Sequence, residues 1–309
     1  MKYSLGAAAM VVVAFLTALS GVNEYFFYAA FVVLQFMVLA TAWNILGGYA
    51  GYVNFGTAAF FAIGSYTAVV LFKWLGAPLA VQIAAAAAVS GLLGFGVGLL
   101  TLRLRGIFFA IATVAIIFIL ETVMMNWRYV GGATGLQLLR PDVLPPFASY
   151  TRMLFFVMAL LAVIAVSVAR YVQISWIGRG LRAIRDSEEA AECSGVPTLK
   201  LKLFACTVSG ALMGAAGAPM PMYLSFIEPA SSFSLNYSVS ALAMPMIGGT
   251  VHWLGPVIGA LLLASIQQIV TVTISGEINV LVIGVLLVLF VVFAPDGVLG
   301  LFKKFVRNR

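Results

Sequence analysis

Arg179, Arg182 and Arg185 recur at intervals of three within GRGLRAIRDSEEAAECSG, residues 178–195. On a short helix they would lie along one slowly turning side, ready to grip a polar or anionic surface. Asp186 and Glu189 have the spacing of a capping box that would start a second small helix. Gly195 can close that helix and Pro197 prevents its continuation. Such a helical elbow offers Leu181, Ala183, Ile184, Ala190 and Ala191 as docking surface. Docking to a partner and resting against anionic lipid headgroups are both open to it.

Bond-making chemistry finds little elsewhere. His252 is the lone histidine and sits among glycines without carboxylate neighbours, so a structural role is expected. No Ser-His-acid arrangement and no phosphate-binding glycine loop ending in Lys-Ser or Lys-Thr occur. Cys193 and Cys206 make neither a disulfide framework nor a metal-ligand set. Glu121 and Glu277 could relay protons across a membrane, as in a secondary transporter. Both fall near the outer ends of apolar runs, which favours interfacial placement instead.

The elements that must position these residues are membrane helices. Mean hydropathy is +1.11, and 63% of the 309 residues are hydrophobic against 9% charged. A hydrocarbon core about 30 Å thick takes about 20 helical residues to cross. Apolar runs fall at 4–20, 26–46, 52–72, 79–100, 107–125, 151–170, 201–222, 236–250, 254–274 and 278–295. The fold class expected is therefore all-α: a polytopic transmembrane bundle of about ten segments, some short or broken, in one integral domain over 1–309. The first run is expected to be a retained helix, not a cleaved signal.

With a cytoplasmic N-terminus, this count leaves thirteen Lys and Arg side chains inside and four outside, a firm positive-inside bias. The net charge of +7 thus reports orientation and not a nucleic-acid partner. The same arrangement makes 173–199 a cytoplasmic loop and 126–150 an external one. The external loop is rich in glycine and proline, from Gly131 to Pro146, and is expected to be ordered by turns without a helix of its own. It could contact something outside or simply lie on the surface.

Two stretches are rich in small residues. After Trp43 come Gly47, Gly48, Gly51, Gly56 and Gly64, with Asn44, Asn54, Thr57 and Ser65 supplying polar groups. A broken helix here could expose Asn44, Gly48, Gly51, Asn54, Gly56 and Thr57 to a permeation path. A close-packed seam between helices would produce much the same string. In residues 244–268, Gly248, Gly249, Gly255 and Gly259 fit close packing, and Pro245 and Pro256 set bends. Gln267 and Gln268 follow in an apolar run, where at least one should face protein or a polar path.

Taken together, several stretches resemble the LivM-like permease subunits of ABC importers for branched-chain amino acids. They are ILGGYAGYVNFGTAAFFAIGSY at 45–66, LRLRGIFFAIAT at 102–113, GGATG at 131–135, GRGLRAIRDSEEAAECSGV at 178–196, IGGTVHWLGPVIGA at 247–260 and APDGVLG at 294–300. The likeness extends over about 40–300. It implies a non-catalytic subunit of a bacterial inner membrane importer, with both termini cytoplasmic. A LivH-like second permease, two ABC ATPase subunits and a periplasmic or lipid-tethered binding protein would complete the system. ATP and Mg would bind the ATPases, and this chain would bind no cofactor or metal. The resemblance assigns the elbow, Gly178, Arg179, Leu181, Arg182, Ile184, Arg185, Asp186, Glu189, Ala190, Ala191 and Gly195, to coupling with an ATPase. Members of this branch often carry Ser-Leu-Gly-His where this chain has Asn54-Phe55-Gly56-Thr57. Relatives also carry urea, short amides and other small acids, so leucine, isoleucine and valine are one expected cargo among several. A proton-coupled secondary transporter and a non-transporting membrane scaffold are the rival readings.

Overall fold

A computed structural model describes residues 2–19, 23–104, 106–139, 145 and 147–273, together with 281, 284, 285, 287–289 and 297–300. In chain order its helices are α1 (Lys2–Leu19), α2 (Glu24–Ala50), α3 (Thr57–Leu75), α4 (Leu79–Thr101), α5 (Ile107–Asn126), α6 (Tyr150–Ile174), α7 (Trp176–Asp186), α8 (Glu188–Cys193), α9 (Thr198–Gly217), α10 (Met220–Leu224), α11 (Pro229–Ser232), α12 (Leu235–Gly248) and α13 (Leu254–Thr273). Short strands β1 (Leu136–Gln137) and β2 (Phe226–Ile227) pair antiparallel, with Leu136 opposite Ile227. This small ladder is a minor addition to the expected helical fold. It lies where the chain leaves the helices, and strand pairing satisfies backbone groups there.

Seven helices are long and apolar enough to cross a membrane: α2 to α6, the run Thr198–Leu224, and α13. The chain is thus a polytopic helical integral membrane protein. The figure of about ten crossings is not reached among the described residues. The apolar part of α1, Gly6–Leu19, is shorter. The 14 residues of α12 rise about 21 Å, less than a hydrocarbon core. The run at 278–295 lies largely outside the described residues, as does Glu277.

The break near Trp43 falls later than the glycine string suggests. Helix α2 continues through Gly47 and Gly48 and stops at Gly51, whose φ of 77° is a left-handed cap that favours glycine. The Gly51 N–H bonds the Gly47 carbonyl and Tyr52 N–H bonds that of Leu46, closing the helix end. Helix α3 restarts only at Thr57, so 51–56 is an irregular segment between two apolar helices.

Helix α9 packs on α3 and α4 along a seam of small residues. A Cβ on Gly64 would collide with the Gly214 backbone, and one on Gly94 would press on the Cys206 carbonyl. Hydroxyls tie these helices: Ser90 donates to Phe60 O at 3.0 Å and Ser65 to Gly217 O at 2.8 Å, while Ser209 joins α9 to α2 through Ala42 O at 2.8 Å. Close backbone approach with occasional polar bonds is how helices associate where no hydrophobic effect separates lipid from protein.

The bundle has two chemically distinct ends. At one, Arg152 pairs with Glu24 at 2.8 Å, Lys73 donates to Tyr129 O, and the β1–β2 ladder joins the segments after α5 and α10. The segment 127–139 there has two 3-10 turns and no α-helix, as its composition implies. At the other end stand α7 and α8, the carboxyl ends of α2, α4, α6 and α12, and the start of α9.

Candidate functional site

The elbow is two helices joined at Ser187. Gly178 allows the sharp entry from α6 into α7, because a Cβ there would collide with the Val172 carbonyl. Ser187 has extended backbone, and its hydroxyl accepts from Ala190 N–H at 3.4 Å. The cap of α8 is therefore Ser187, and Asp186 is the last residue of α7. The expected capping box of Asp186 and Glu189 does not form, since one residue's shift in the start moves both partners out of place. Gly195 does adopt the left-handed conformation, φ 81°, with its N–H on Glu192 O and Val196 N–H on Ala191 O.

Leu181, Ile184 and Ala191 are buried in the chain's own core with Ile45, Leu46, Ala169, Val172 and Leu201. This corrects the expectation that they are docking surface: they hold the elbow onto the bundle. The exposed side carries Arg179, Arg185, Asp186, Glu189 and Ala190, with Arg182 half-buried.

Charged side chains join this elbow to the helix break. Arg185 Nη1 donates to Gly48 O at 2.9 Å, and its Cγ lies against Gly51. One helix later, Lys202 is only 3% exposed yet all three of its ammonium donors are used. It bonds Glu188 Oε1 at 2.6 Å, Tyr52 Oη at 3.1 Å and the Leu102 carbonyl at 3.2 Å. Tyr52 in turn donates to Glu188 Oε2 at 2.6 Å. The result is a closed ring of bonds among the break (Tyr52), the elbow (Glu188) and α9 (Lys202), tied also to the end of α4.

Beside this ring, the Tyr52 ring meets Phe109 edge-on at 5.2 Å. A groove of about 390 Å³ opens there, lined by Gly51, Tyr52, Val53, Gly106, Ile107 and Ala110. The rest of the break is held inward. Trp43 Nε1 donates to Asn54 O at 2.7 Å, Asn54 Oδ1 accepts from Gly56 N–H at 2.8 Å, and Phe55 N–H bonds Thr113 Oγ1 at 3.1 Å.

Residues 25–291 match the family described as the permease component of the branched-chain amino acid transport system. The chain belongs to this family. It is 28% identical to the high-affinity branched-chain amino acid transport system permease protein LivM of Salmonella typhimurium, over 85% of this chain and 67% of that protein. The LivM protein of Escherichia coli gives the same identity and coverage. A probable LivH permease of Methanocaldococcus jannaschii is 28% identical over 42% of this chain and 43% of its own. No solved structure matches.

Within this permease fold, the residues expected at a path divide into two groups. Asn44 and Gly48 meet the turn before α13: Asn44 Nδ2 donates to Thr250 O at 3.1 Å, while its buried Oδ1 has no hydrogen-bond partner among the described residues. Gly51, Asn54, Gly56 and Thr57 form or border the break itself. Thr57 opens α3 fully buried, its hydroxyl unpartnered among the described residues, and the next N–H, of Ala58, bonds Ser238 Oγ on α12. Gly248, Gly249, Gly255 and Gly259 are the contact between α12 and α13. A Cβ on Gly248 would strike the Gly255 carbonyl, one on Gly255 the Gly249 carbonyl, and one on Gly259 that of Met244.

His252 serves the turn, its Nδ1 accepting from Leu254 N–H at 3.2 Å. Gln267 is buried and reaches Ser240 Oγ at 3.5 Å, as an intramembrane amide should. Glu121 is half-buried near the end of α5. Tyr52, Glu188 and Lys202 escaped sequence reasoning. The available signal was Lys200-Leu201-Lys202: two residues apart on a helix, the two lysines cannot share a face.

Proposed function

We propose that this chain is one of two membrane subunits of an ATP-driven importer for leucine, isoleucine and valine. A LivH-like permease would complete the path, two ABC ATPases would bind ATP and Mg, and a periplasmic or lipid-tethered binding protein would deliver cargo. The family match supports the permease role. The attachment of the elbow to the helix break through Arg185 and Lys202 is the observation that carries the coupling assignment. An elbow pressed by a closing ATPase would act on the segment 51–56 and not on a rigid helix. Transport is then a shift between two accessibilities, each favoured in turn by the binding protein and by ATPase closure.

The elbow end is assigned to the cytoplasm of a bacterial inner membrane, with both chain termini on that side. Arg103, Arg170, Arg179, Arg182, Arg185, Lys200 and Lys202 gather there, against Lys73, Arg128 and Arg152 at the other end. The loop at that far end is the candidate contact for the binding protein. Exposed Tyr171, Ile174 and Trp176 at the entry to α7 favour lipid-headgroup contact for that part of the elbow alone. Ala190 and the exposed charges around it are left for the ATPase.

Reconstitution with co-purifying subunits tests this reading through ATP-dependent uptake of leucine, isoleucine, valine, urea and short amides. Uptake that persists without any ATPase would point to the secondary-transporter alternative. Uptake of urea or amides alone would reassign the cargo within the family. In the active complex, Ala190→Glu should leave membrane insertion intact and uncouple ATP hydrolysis from transport, so that ATP-driven uptake is lost.

A further inference from the structure

We propose that Tyr52, Glu188 and Lys202 form a latch that sets the position of the helix break according to the position of the elbow. The inference rests on the importer reading and names the residues through which its coupling acts.

Three observations converge on the latch. First, Tyr52 follows directly on Gly51, where α2 ends, so its phenol is the first side chain of the irregular segment. Second, the phenol bonds both Glu188 on the elbow and Lys202 on α9, while its ring faces Phe109 on α5. A displacement of α8 therefore reaches the break and the groove beside α5 through one residue. Third, the segment is tied to α5 again at Phe55 and Thr113, so break and α5 respond together.

The chemistry fits a switch better than a permanent staple. An apolar trio of similar volume would hold these elements at least as firmly, because desolvating an ion pair offsets much of its attraction. What the polar trio adds is direction, since its bonds form in one arrangement and break as a set. The Glu188 side chain keeps 14% exposure against 4% for Lys202. Water can thus reach the carboxylate when the elbow moves, which lowers the cost of opening.

The test uses the whole complex in liposomes, with leucine as the probe, and measures uptake and ATP hydrolysis together. Tyr52→Phe removes the hydroxyl and keeps the ring, so folding and assembly are preserved; Glu188→Gln removes the charge. Each should leave subunit co-purification and ATP hydrolysis near wild type and lower leucine transported per ATP by about tenfold, within the range of ordinary coupling energies. The double variant should be no worse than the single ones, because both cut one linkage. A purely structural role would leave the uptake ratio of the assembled complex unchanged, whatever the effect on assembly or melting temperature. If wild type couples leucine uptake to ATP and both variants keep its ratio, the latch is overturned while the importer reading stands. If wild type shows no ATP-driven leucine uptake, the leucine-importer reading falls and takes the latch with it. Should Glu188→Gln fail to assemble, Tyr52→Phe alone decides.

Discussion

Replacing Lys202 with methionine tests how much of the bundle's stability depends on one buried charge. Methionine matches the length and apolar stem of lysine, so packing is nearly conserved and the ammonium is what disappears. Its loss removes three bonds at 2.6, 3.1 and 3.2 Å and takes the cation away from the Glu188 carboxylate, which keeps its bond from the Tyr52 hydroxyl. Removing one member of a buried pair costs about 3–5 kcal/mol, mostly through the uncompensated charge left behind. At about 2 °C per kcal/mol, the lower figure for larger chains, the melting temperature should fall by roughly 6–10 °C. The double variant Lys202→Met with Glu188→Gln removes both charges of the pair and should recover more than half of that loss. Thermal unfolding of the purified protein in detergent, followed by tryptophan fluorescence, reads both. A Lys202→Met protein that melts within 2 °C of wild type, or a double variant less stable than the single one, would refute the reasoning.

Four further substitutions sample other elements. Gly255→Val drives a branched side chain into the Gly249 carbonyl and should cost about 3 kcal/mol or more, seen as loss of a monodisperse peak on size exclusion. Arg152→Ala breaks an ion pair whose Glu24 partner is half-exposed, so it should cost about 1 kcal/mol or less, a melting shift below about 3 °C. Ser187→Ala removes the cap of α8 at about 1 kcal/mol, and amide exchange should quicken in 188–193 without a change in global unfolding. At Gly195 the space for a Cβ is open but φ is 81°, so Gly195→Ala should cost only the backbone strain, about 1–2 kcal/mol by thermal unfolding.

What could be read from the residues depended on how far apart they act. The long spans were legible because each is a continuous apolar run, and hydrocarbon leaves a helix few alternatives. The elbow was legible because Gly178, Gly195 and Pro197 punctuate it locally, although its cap shifted by one residue to Ser187. The break appeared as a glycine string, but its position did not. Gly47 and Gly48 stay helical because their absent side chains make room for Trp43, Asn44 and Thr250, a tertiary reason that the string does not contain. The β1–β2 ladder pairs two residues with two others some ninety positions away, too short to leave a period. The latch lay furthest from view. Tyr52, Leu102, Glu188 and Lys202 are scattered over 150 positions, and Lys202 alone looks like one more basic residue at a membrane edge.

These two kinds of contact divide the bundle mechanically. The seams of α9 on α3 and α4, and of α12 on α13, bring backbones so close that separation would open voids along whole helices. Packing of that kind is lost all at once or not at all. At the elbow end, the polar link between α8 and the break is a few directional bonds, and water can reach the Glu188 carboxylate, 14% exposed, as it leaves its partners. A motion driven from the elbow therefore meets least resistance along α8, residues 51–56 and the start of α5, while the glycine seams keep the remaining helices together. In the proposed importer, Tyr52, Glu188 and Lys202 stand at the head of that route, which is why their disruption should separate ATP hydrolysis from transport instead of merely loosening the fold.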